Sequence, residues 1–579
     1  VQLPKKARFG SFLSAVYMPS SVAAKNNRYT EAFKEDKMYF LRDGSWLTDD
    51  EAFSDEDVND MKSFNGELFV SYNYFLKSFD TDHNPIKIIW TYYSETGGPN
   101  ISGIDLEGDV LWMADARYGL VSERNNEFKF YTPNSPKKAD VFDMDLAGGH
   151  LWTADGGRNL SWGNIWNRGS VSSFIEGTWN TFDSQTTPAL DSIPDIVCVA
   201  VNPYDTRQVF AGSWHLGLTE FYNNEYVQLY TPENSSLEYK AKQGPPICKV
   251  CGLRFDNSGN LWMTNSGANN ILSVKLNDGT QNGSWRSFYL GSQSGGKDIG
   301  ELIIDSYGQK WILWREHSII VFDDGGTPED PSDDRVKHLS SAQGNGALPG
   351  TKVFSIAEDL DGEIWIGTDE GIGVIYSPEN VFSQYNFDAQ RILIPRNDGT
   401  GLADILLEFE TITDIKVDGS NNKWIGTDRS GVYLVSEDGL EEKHHFTTEN
   451  SPLFSDNITS LAINGADGEV FIGTANGIIS YKGSATEGGP ANTGVYAYPN
   501  PVRPEFTGPI AINGLVNNAD FKVTDISGNL VYSGRAEGGQ AIWNGTNFNG
   551  RRAMSGVYLV FVSDDEGKET LVTKILFMN

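Results

Sequence analysis

An aromatic-Ile-Gly-Thr segment that returns about every 50 residues limits this chain to a repeat architecture. The copies read GEIWIGTDEGIGVIY from residue 362, KWIGTDRSGVYLV from 423 and EVFIGTANGIISY from 469. Each copy has a β-rich run ending in Gly-Thr, a turn with Gly and a second β-rich run, which is the pattern of a β-hairpin. Another apolar run and an Asp/Asn/Gly turn precede each copy, so each unit has at least three strands.

Weaker copies extend the repeat toward the N-terminus. Large aromatic residues that would anchor the units recur 47 to 59 residues apart, at Trp152, Phe210, Trp262, Trp311, Trp365, Trp424 and Phe471. Four-stranded blades of this length build β-propellers, and one aromatic per blade can fill the wedge between neighbouring sheets. We therefore predict an all-β chain with a seven-bladed β-propeller over residues 133–482.

Residues 1–132 contain three further blade-like units, around Phe69, around Trp112 and around KMYFLRDGSW from residue 37. Three blades do not close a ring. We therefore predict the end of an incomplete first propeller, whose first blades are missing from this chain; the alternative is that the units are shared in another way. Because the sequence starts at Val1 without Met, we expect a processed or trimmed product.

The pattern changes after the last propeller unit. Residues 483–494 are rich in Gly and other small residues, which predicts a linker. Short strands are then predicted at 510–515, 521–525, 529–533, 540–543, 556–563 and 570–577, with turns such as DISGN between them. Six or seven short strands in this length predict an Ig-like β-sandwich over residues 495–579.

Two parts of the chain resemble known families. The WIGT copies resemble the two-component regulator propeller repeat, which occurs as paired propellers in exported Bacteroidetes proteins. The tail closely resembles the C-terminal sorting domain of the type IX secretion system, through YPNP, VTDISGNLVYSG, SGVYLVFV and the terminal KETLVTKILFMN. In that family the domain directs transport across the outer membrane. The residues that carry the motif are Tyr498, Pro499, Asn500, Pro501, Gly528, Gly556 and Lys574.

Propellers followed by a sorting domain resemble the PorZ family of the type IX attachment complex. The resemblance implies a non-enzymatic scaffold at the cell surface, associated with the outer membrane, that retains its sorting domain. It implies a PorU-like sortase, a PorV-like shuttle and a PorQ-like protein as partners, and anionic lipopolysaccharide as a ligand. The alternative is a sorted surface cargo whose propeller binds or degrades a polysaccharide. A third interpretation, a sensor propeller, is disfavoured because no transmembrane helix or kinase follows the tail.

The net charge of the chain and its lack of known catalytic motifs exclude several classes of function. The formal net charge is −33, and such a surface repels phosphate backbones, so no nucleic-acid partner is expected. No apolar run reaches the length of a membrane-spanning helix. The sequence contains no GxSxG, HExxH or phosphate-binding glycine loop, so we predict no enzyme activity, no catalytic residue and no required cofactor.

A glycan site is predicted in the insertion NLSWGNIWNRGS (159–170), which lies between the anchors Trp152 and Phe210. Insertions of this kind fall on one rim of a propeller, where ligands bind. Trp162 and Trp166 would stack on sugars, while arginine holds carboxylates or phosphates. The candidate ligand-binding set also includes Arg158 and Arg168. The alternative is that the tryptophans only pack the rim.

A candidate calcium site lies in the acidic segment FDDGGTPEDPSDDR (322–335). Its carboxylates are the hard oxygen ligands that Ca²⁺ prefers, and the alternative is a solvated loop. The candidate ligands are Asp323, Asp324, Asp330, Asp333 and Asp334. By contrast, Asp359 and Asp361 occupy a place that DGSNN and NGADG take in the sister units, so they are predicted to form a hairpin turn.

Three cysteines are present, at Cys198, Cys248 and Cys251. A zinc site built on Cys248 and Cys251 would need two more ligands, and no histidine lies nearby in sequence. We predict buried free thiols that pack as small apolar side chains. A disulfide involving Cys198 is the alternative.

Overall fold

Antiparallel β-sheets make up nearly all of the chain in a computed structural model, which describes residues 22–578 except 26–28, 35–36, 43–44, 49–57, 81, 83, 93–97, 132–133, 140, 160, 241–245, 281–282, 293, 316–317 and 564–568. Among the described residues, the helices are two short 3-10 turns, Pro188–Ser192 and Pro378–Asn380. The predicted all-β fold class is therefore confirmed. The chain divides into two compact units, Val1–Asn134 and Ser135–Asn579.

The first unit contains the antiparallel four-stranded sheets β1–β4, β5–β8 and β9–β12. Their strands are β1 Val22–Lys25, β2 Tyr29–Lys34, β3 Lys37–Arg42, β4 Ser45–Thr48, β5 Val58–Phe64, β6 Glu67–Tyr72, β7 Leu76–Phe79, β8 Pro85–Ile89, β9 Ile101–Glu107, β10 Val110–Asp115, β11 Gly119–Arg124 and β12 Glu127–Tyr131. Phe69 is buried as predicted, whereas Trp112 is half-buried against Tyr131. The predicted unit around residue 37 lies on β3 and β4. For these two strands the structure describes the backbone and not the side chains.

The second unit begins with sheets that follow one another in chain order: β13–β16, β17–β20, β21–β24, β25–β28, β30–β32, β36–β39 and β40–β42. Short pairs, β29 with β33 and β34 with β35, lie outside them. The strands are β13 Asp143–Ala147, β14 His150–Ala154, β15 Ser170–Ile175, β16 Thr178–Asp183, β17 Ile196–Val201, β18 Gln208–Ser213, β19 Gly217–Tyr222, β20 Glu225–Tyr230, β21 Lys249–Phe255, β22 Leu261–Ser266, β23 Leu272–Lys275, β24 Trp285–Phe288, β25 Ile299–Ile304, β26 Lys310–Trp314, β27 Ser318–Asp323, β28 Arg335–Ser340, β29 Asn345–Gly346, β30 Val353–Glu358, β31 Ile364–Thr368, β32 Gly371–Ile375, β33 Phe387–Asp388, β34 Leu393–Pro395, β35 Ala403–Ile405, β36 Ile412–Val417, β37 Lys423–Thr427, β38 Val432–Val435, β39 Glu442–Phe446, β40 Ile458–Asn464, β41 Glu469–Thr474 and β42 Gly477–Lys482.

Neighbouring sheets touch through their first strands, and the first strand of the last sheet, β40, returns to β13. At this seam the Met144 amide donates to Ser460 Oγ at 3.1 Å, and Phe174 packs edge-on against Phe471 at 5.8 Å between ring centroids. The sheets therefore close a ring, which is a propeller as the sequence predicts. The number of blades and the domain boundaries stay predictions.

A repeated Asp-Trp hydrogen bond fixes four of the five anchor tryptophans, all except Trp152. In each case an aspartate six residues before the tryptophan accepts the indole N–H and also closes the preceding turn. The pairs are Asp256 with Trp262, Asp305 with Trp311, Asp359 with Trp365 and Asp418 with Trp424. The tryptophans then pack between sheets, as Trp262 does against Phe322 of the following sheet. The aspartates of the predicted hairpin turns are thus structural.

Lysines next to the anchors connect neighbouring sheets. Lys423 Nζ lies 2.8 Å from Asp359 Oδ2 and 4.6 Å from the Trp365 ring, and both charged side chains are fully buried. Lys310 similarly sits 4.1 Å over Trp262 of the preceding sheet. Because the lysine precedes one anchor and contacts the previous one, each pair ties two sheets together.

The C-terminal strands form a β-sandwich of two sheets, β43-β44-β47 and β46-β45-β48-β49. Their bounds are β43 Tyr496–Tyr498, β44 Ile510–Asn513, β45 Asp520–Asp525, β46 Leu530–Arg535, β47 Gln540–Trp543, β48 Gly556–Ser563 and β49 Glu569–Phe577. Each predicted strand is present to within a few residues. Trp543, Phe521 and Phe577 lie in the core between the sheets. The predicted Ig-like fold is confirmed.

Candidate functional site

The insertion predicted to bind glycan is held in place by one buried aspartate. Asp195 is fully buried, and its carboxylate accepts the backbone amides of Ile165, Trp166 and Asn167 at 2.8–3.2 Å as well as the Asn164 side chain at 3.0 Å. Several N–H donors around one carboxylate make a stable anchor for a loop. Asp195 was not singled out from the sequence, because it lies outside the insertion.

The two predicted tryptophans of this loop share an unusual backbone conformation but differ in exposure. Trp162 and Trp166 both have left-handed backbone, with φ values of 58° and 63°. Such a conformation in a bulky residue costs free energy, and surrounding contacts must impose it. Trp162 is half-buried, whereas Trp166 is 61% exposed and packs on His215 at 4.9 Å between ring centroids.

Arg158 and Trp162 form the centre of a cation-aromatic cluster with Trp214, Lys249 and Arg315. The Arg158 guanidinium lies 3.5 Å from the Trp162 ring and 4.8 Å from the Trp214 ring. Lys249 Nζ is 4.2 Å from Trp214, and the Arg315 guanidinium is 5.8 Å from Trp162. Aromatic faces attract cations of this kind. The cluster concentrates positive charge on a strongly acidic protein.

One carboxylate accompanies these cations. Asp298 lies 3.9 Å from Lys249 Nζ and 3.5 Å from Arg315 Nη1, which is loose ion pairing. Burial lowers the pKa of Lys249 and of Arg158, because desolvation penalises the charged form. Such cations gain from an arriving anion, so the cluster is suited to a carboxylate or a phosphate.

The sequence predicted two of the five residues of the cluster and added two residues that lie apart from it. Arg168 is exposed, and its backbone carbonyl accepts from Lys138 Nζ at 3.1 Å. With Trp166 it faces solvent, and glycan binding by these two residues stays a prediction. Lys249 and Arg315 were missed because they lie on other sheets, where no local pattern indicates their approach to Trp162.

A cavity of about 330 Å³ lies at the centre of the ring, and Arg158 and Trp162 contribute to its wall. Asp143, Glu301 and Asp414 also line it. Burial, assisted by the charge of Glu301, raises the pKa of Asp143 to about 7. Acidic, basic and hydroxyl groups therefore converge on one cavity.

Basic side chains pair with two of the aspartates in the predicted calcium loop. Asp323 pairs with Arg335, and Asp324 pairs with Lys310. The Thr327 hydroxyl contacts Asp333. Because neighbouring cations already neutralise two of the five carboxylates, the loop has less need of a metal ion.

Asp330 and Asp334, two further candidate ligands of this loop, have no cation paired with them among the described residues. Asp330 accepts the Ser332 amide at 3.0 Å, and the pKa of Asp334 is raised by burial and by the neighbouring aspartates. Among the described residues, no group of three potential metal ligands is close enough to hold an ion. Calcium binding stays a prediction.

The cysteines are buried free thiols, as predicted. Cys251 lines the central cavity, where its thiol donates to the Ile299 carbonyl at 2.9 Å. Burial raises the pKa values of Cys198 and Cys251 and brings that of Cys248 to about 12. Thiols in this state are poor nucleophiles and poor metal ligands.

Hydrogen bonds of the sorting-domain motif attach residues 500–502 to the last strand of the sandwich, β49. The Asn500 side chain donates to the Lys574 carbonyl at 2.7 Å and accepts the Leu576 amide at 3.0 Å. Val502 adds backbone hydrogen bonds to Leu576 and Met578. Tyr498 is 70% exposed, and Pro499 and Pro501 flank the clamping asparagine. The motif therefore joins the beginning and the end of the domain.

Two predicted glycines of the motif have different places. Gly528, with φ of 84°, closes the turn that begins at Asp525, and only glycine adopts this backbone freely. Gly556 starts strand β48, and Lys574 is exposed opposite Leu559. These residues shape the domain surface and make no enclosed site among the described residues.

The predicted linker is packed against both of its neighbours. The Thr486 carbonyl accepts the Gly539 amide at 2.8 Å, and the Glu487 amide donates to the propeller carbonyl of Gly465 at 2.7 Å. A Cβ added to Gly538 would lie 1.8 Å from the Thr486 oxygen. The segment thus fixes the sandwich to the last propeller sheets.

Comparisons with known proteins agree with this architecture. A two component regulator propeller model matches residues 347–370, and a secretion system C-terminal sorting domain model matches residues 496–577. PorZ of Porphyromonas gingivalis, described as an essential bacterial surface component of the type-IX secretion system, aligns with 98% of this chain and 82% of its own, at 25% identity and a TM-score of 0.68. The chain is similar to PorZ. The resemblance predicted from the domain order is confirmed.

Other relatives match less of the molecule than PorZ does, or match it less well. Histidine kinase P4 of Formosa agariphila is 34% identical over 97 residues, which are 17% of this chain and 6% of the kinase. This chain therefore spans a small part of that relative. The extracellular domain of the hybrid two component system BT3049 from B. thetaiotaomicron aligns over 99% of both chains, at 12% identity and a TM-score of 0.34.

Proposed function

We propose that this protein is a PorZ-like, non-enzymatic scaffold of a type IX secretion attachment complex. The supporting observation is the alignment with PorZ over 98% of the chain, together with the sorting-domain match at its C-terminal end. The protein is exported and works at the cell surface, in association with the outer membrane. Among the described residues, no helix is long and apolar enough to span a membrane.

The proposed partners are a PorU-like sortase, a PorV-like shuttle and a PorQ-like protein. In this role the sorting domain remains attached as a docking module. The packing of residues 484–489 between propeller and sandwich supports retention, because Ala485 and Thr486 are buried. A protease cannot bind a peptide segment whose backbone is already paired and covered unless the segment first opens locally.

The intact mass of the protein released from the cell surface tests this proposal. We expect residues 495–579 to be present, and immobilised protein to capture purified PorU-like and PorV-like proteins. A chain that has lost about 85 residues and carries a lipopolysaccharide ladder contradicts the scaffold and favours a sorted cargo, since the predicted sorting domain has this length. A retained tail without capture of either partner also contradicts it.

We further propose that the cation-aromatic cluster binds anionic lipopolysaccharide. Arg158 and Arg315 would hold its acidic groups beside Trp162, because arginine binds carboxylates and phosphates through paired donors. Changing both arginines to glutamine (R158Q/R315Q) is expected to weaken binding to purified anionic lipopolysaccharide by about tenfold or more. Biolayer interferometry at low and at physiological salt measures the change.

The matched control is Arg429→Gln, because Arg429 is 88% exposed in the turn between β37 and β38 and pairs with Asp428 alone in the described part of the chain. Equal binding by wild type and R158Q/R315Q contradicts the proposed site. Equal loss in R429Q and in the double variant indicates non-specific attraction to surface cations, and it contradicts the proposed site as well.

A further inference from the structure

The cavity at the centre of the ring contains two kinds of group. Some of its charged groups form ion pairs, whereas several of its polar atoms have no hydrogen-bond partner in the described structure. Among its carboxylates, Asp414 pairs with Lys416 at 3.0 Å and Glu301 pairs with Arg254 at 2.9 Å. Asp143 accepts the Val199 amide at 3.1 Å. Asp414 and Glu301 are therefore paired with cations, whereas Asp143 has an amide donor and no ion pair among the described residues.

Arg158 differs from Lys416, the other cation of the cavity wall, which is paired with Asp414. Among the described residues Arg158 forms no ion pair, and its Nη1 atom is buried without a hydrogen-bond partner. A buried guanidinium nitrogen without an acceptor is costly, because its hydration is lost and nothing replaces it. The guanidinium is held between aromatic rings and cannot easily turn away. An anionic group at the mouth of the cavity would supply the acceptor.

Two hydroxyl groups on the wall also lack partners. Thr413 Oγ1 on β36 and Thr459 Oγ1 on β40 are buried, and neither has a hydrogen bond within the described structure. Buried hydroxyls are normally satisfied, so such atoms mark a place for water or for a ligand. The neighbouring Ser460 hydroxyl, by contrast, accepts the Met144 amide. Thr413 and Thr459 thus line the cavity with hydroxyls that have no hydrogen bond in the described structure.

We propose that this cavity binds a single acidic sugar residue, with its carboxylate or phosphate at Arg158 and its hydroxyls at Thr413 and Thr459. The inference rests on the proposed lipopolysaccharide binding and specifies which part of an anionic saccharide enters the ring. The volume of about 330 Å³ lies at the lower end of the range for small-molecule pockets. A sugar acid matches the wall because it carries one anionic group and several hydroxyls.

Ligand-observed NMR and calorimetry with D-galacturonate, D-glucose 1-phosphate and neutral D-glucose test the inference on the full chain. Both acids are expected to bind with a Kd below about 10 mM, and glucose at least about fivefold more weakly. The variant T413V/T459V removes both hydroxyls while keeping the side-chain shape. It is expected to weaken acid binding about tenfold without lowering the Tm, since neither hydroxyl has a partner to lose.

The matched control is Ser173→Ala, because the Ser173 hydroxyl is also buried and unpaired but lies away from the cavity. No binding of either acid, or unchanged binding in T413V/T459V, overturns the inference. Acid binding that Arg158→Gln leaves intact also overturns it.

Purified anionic lipopolysaccharide, measured in the same variants, separates the two proposals. If wild type binds the polymer and T413V/T459V binds it equally well, the cavity inference fails while the proposed function stands. If wild type does not bind the polymer, lipopolysaccharide binding fails whatever the monosaccharides do. Weaker polymer binding in T413V/T459V supports entry of a sugar of the polymer into the cavity.

Discussion

Replacing Lys423 by methionine is expected to lower the free energy of unfolding by about 3–5 kcal/mol. Lys423 and Asp359 are both fully buried, with 2.8 Å between Nζ and Oδ2. Removal of the cation leaves a buried carboxylate without its counter-charge, and the Trp365 ring loses its contact with the ammonium group. Denaturant unfolding followed by tryptophan fluorescence measures the change, because the buried anchor tryptophans become exposed when the propeller unfolds.

Two controls distinguish burial of the pair from the loss of any lysine. Lys482→Met breaks a pair of similar length, 2.7 Å from Asp467, in which both side chains are about half exposed, and it should cost less than about 1 kcal/mol. Adding Asp359→Asn to the K423M variant should recover part of the loss, since no buried charge remains. A K423M protein as stable as K482M would show that the buried pair does not hold the sheets together.

Gly538→Ala is expected to release the sandwich from the propeller. The free energy required to open the linker locally should fall by about 3 kcal/mol. The added Cβ would lie 1.8 Å from the Thr486 carbonyl oxygen, at a residue with φ of 61°. That oxygen cannot move without breaking its hydrogen bond from the Gly539 amide at 2.8 Å. Limited proteolysis should therefore cleave residues 483–494 much faster than in the wild type.

Gly550→Ala provides the matched control. Gly550 has a similar backbone, with φ of 72°, but a Cβ there has no atom within 4 Å. It shares the backbone strain and lacks the collision, so its linker should resist proteolysis as the wild type does. Equal cleavage rates in G538A and G550A would mean that the close packing of residue 538 does not secure the linker.

The sequence was most informative where a feature repeats. Trp365 and its sister anchors were found because the same local pattern returns in every unit, and the turn role of Asp359 followed from comparing units. The partner of Asp359 was not predicted, because Lys423 belongs to the next unit and a pair between sheets leaves no local periodicity. The strands of the sandwich were predicted well for the opposite reason, since each is bounded by a clear turn.

The candidate site was predicted in part. The composition of the insertion drew attention to Arg158 and Trp162, which the fold places at the mouth of the ring. Trp166 and Arg168 were grouped with them on sequence proximity, yet hydrogen bonds to Asp195 turn this part of the loop toward solvent. Lys249 and Arg315 reach the same place from other sheets. These residues come together only when the ring closes, so no pattern within a single segment of the sequence predicts their contact.

The seam between β13 and β40 has a consequence for the order of events during folding. Met144 and Ser460, which meet there, are 316 residues apart in sequence. Each four- or three-stranded propeller sheet can form from chain that is nearly contiguous. The contact between β13 and β40 is of much longer range and forms late, because the loop-closure entropy is lost before the contact is gained. The cavity wall includes residues from both sides of the seam. A chain that is still emerging therefore has blades but no closed cavity, and any ligand of the cavity would bind only after the whole propeller has been completed.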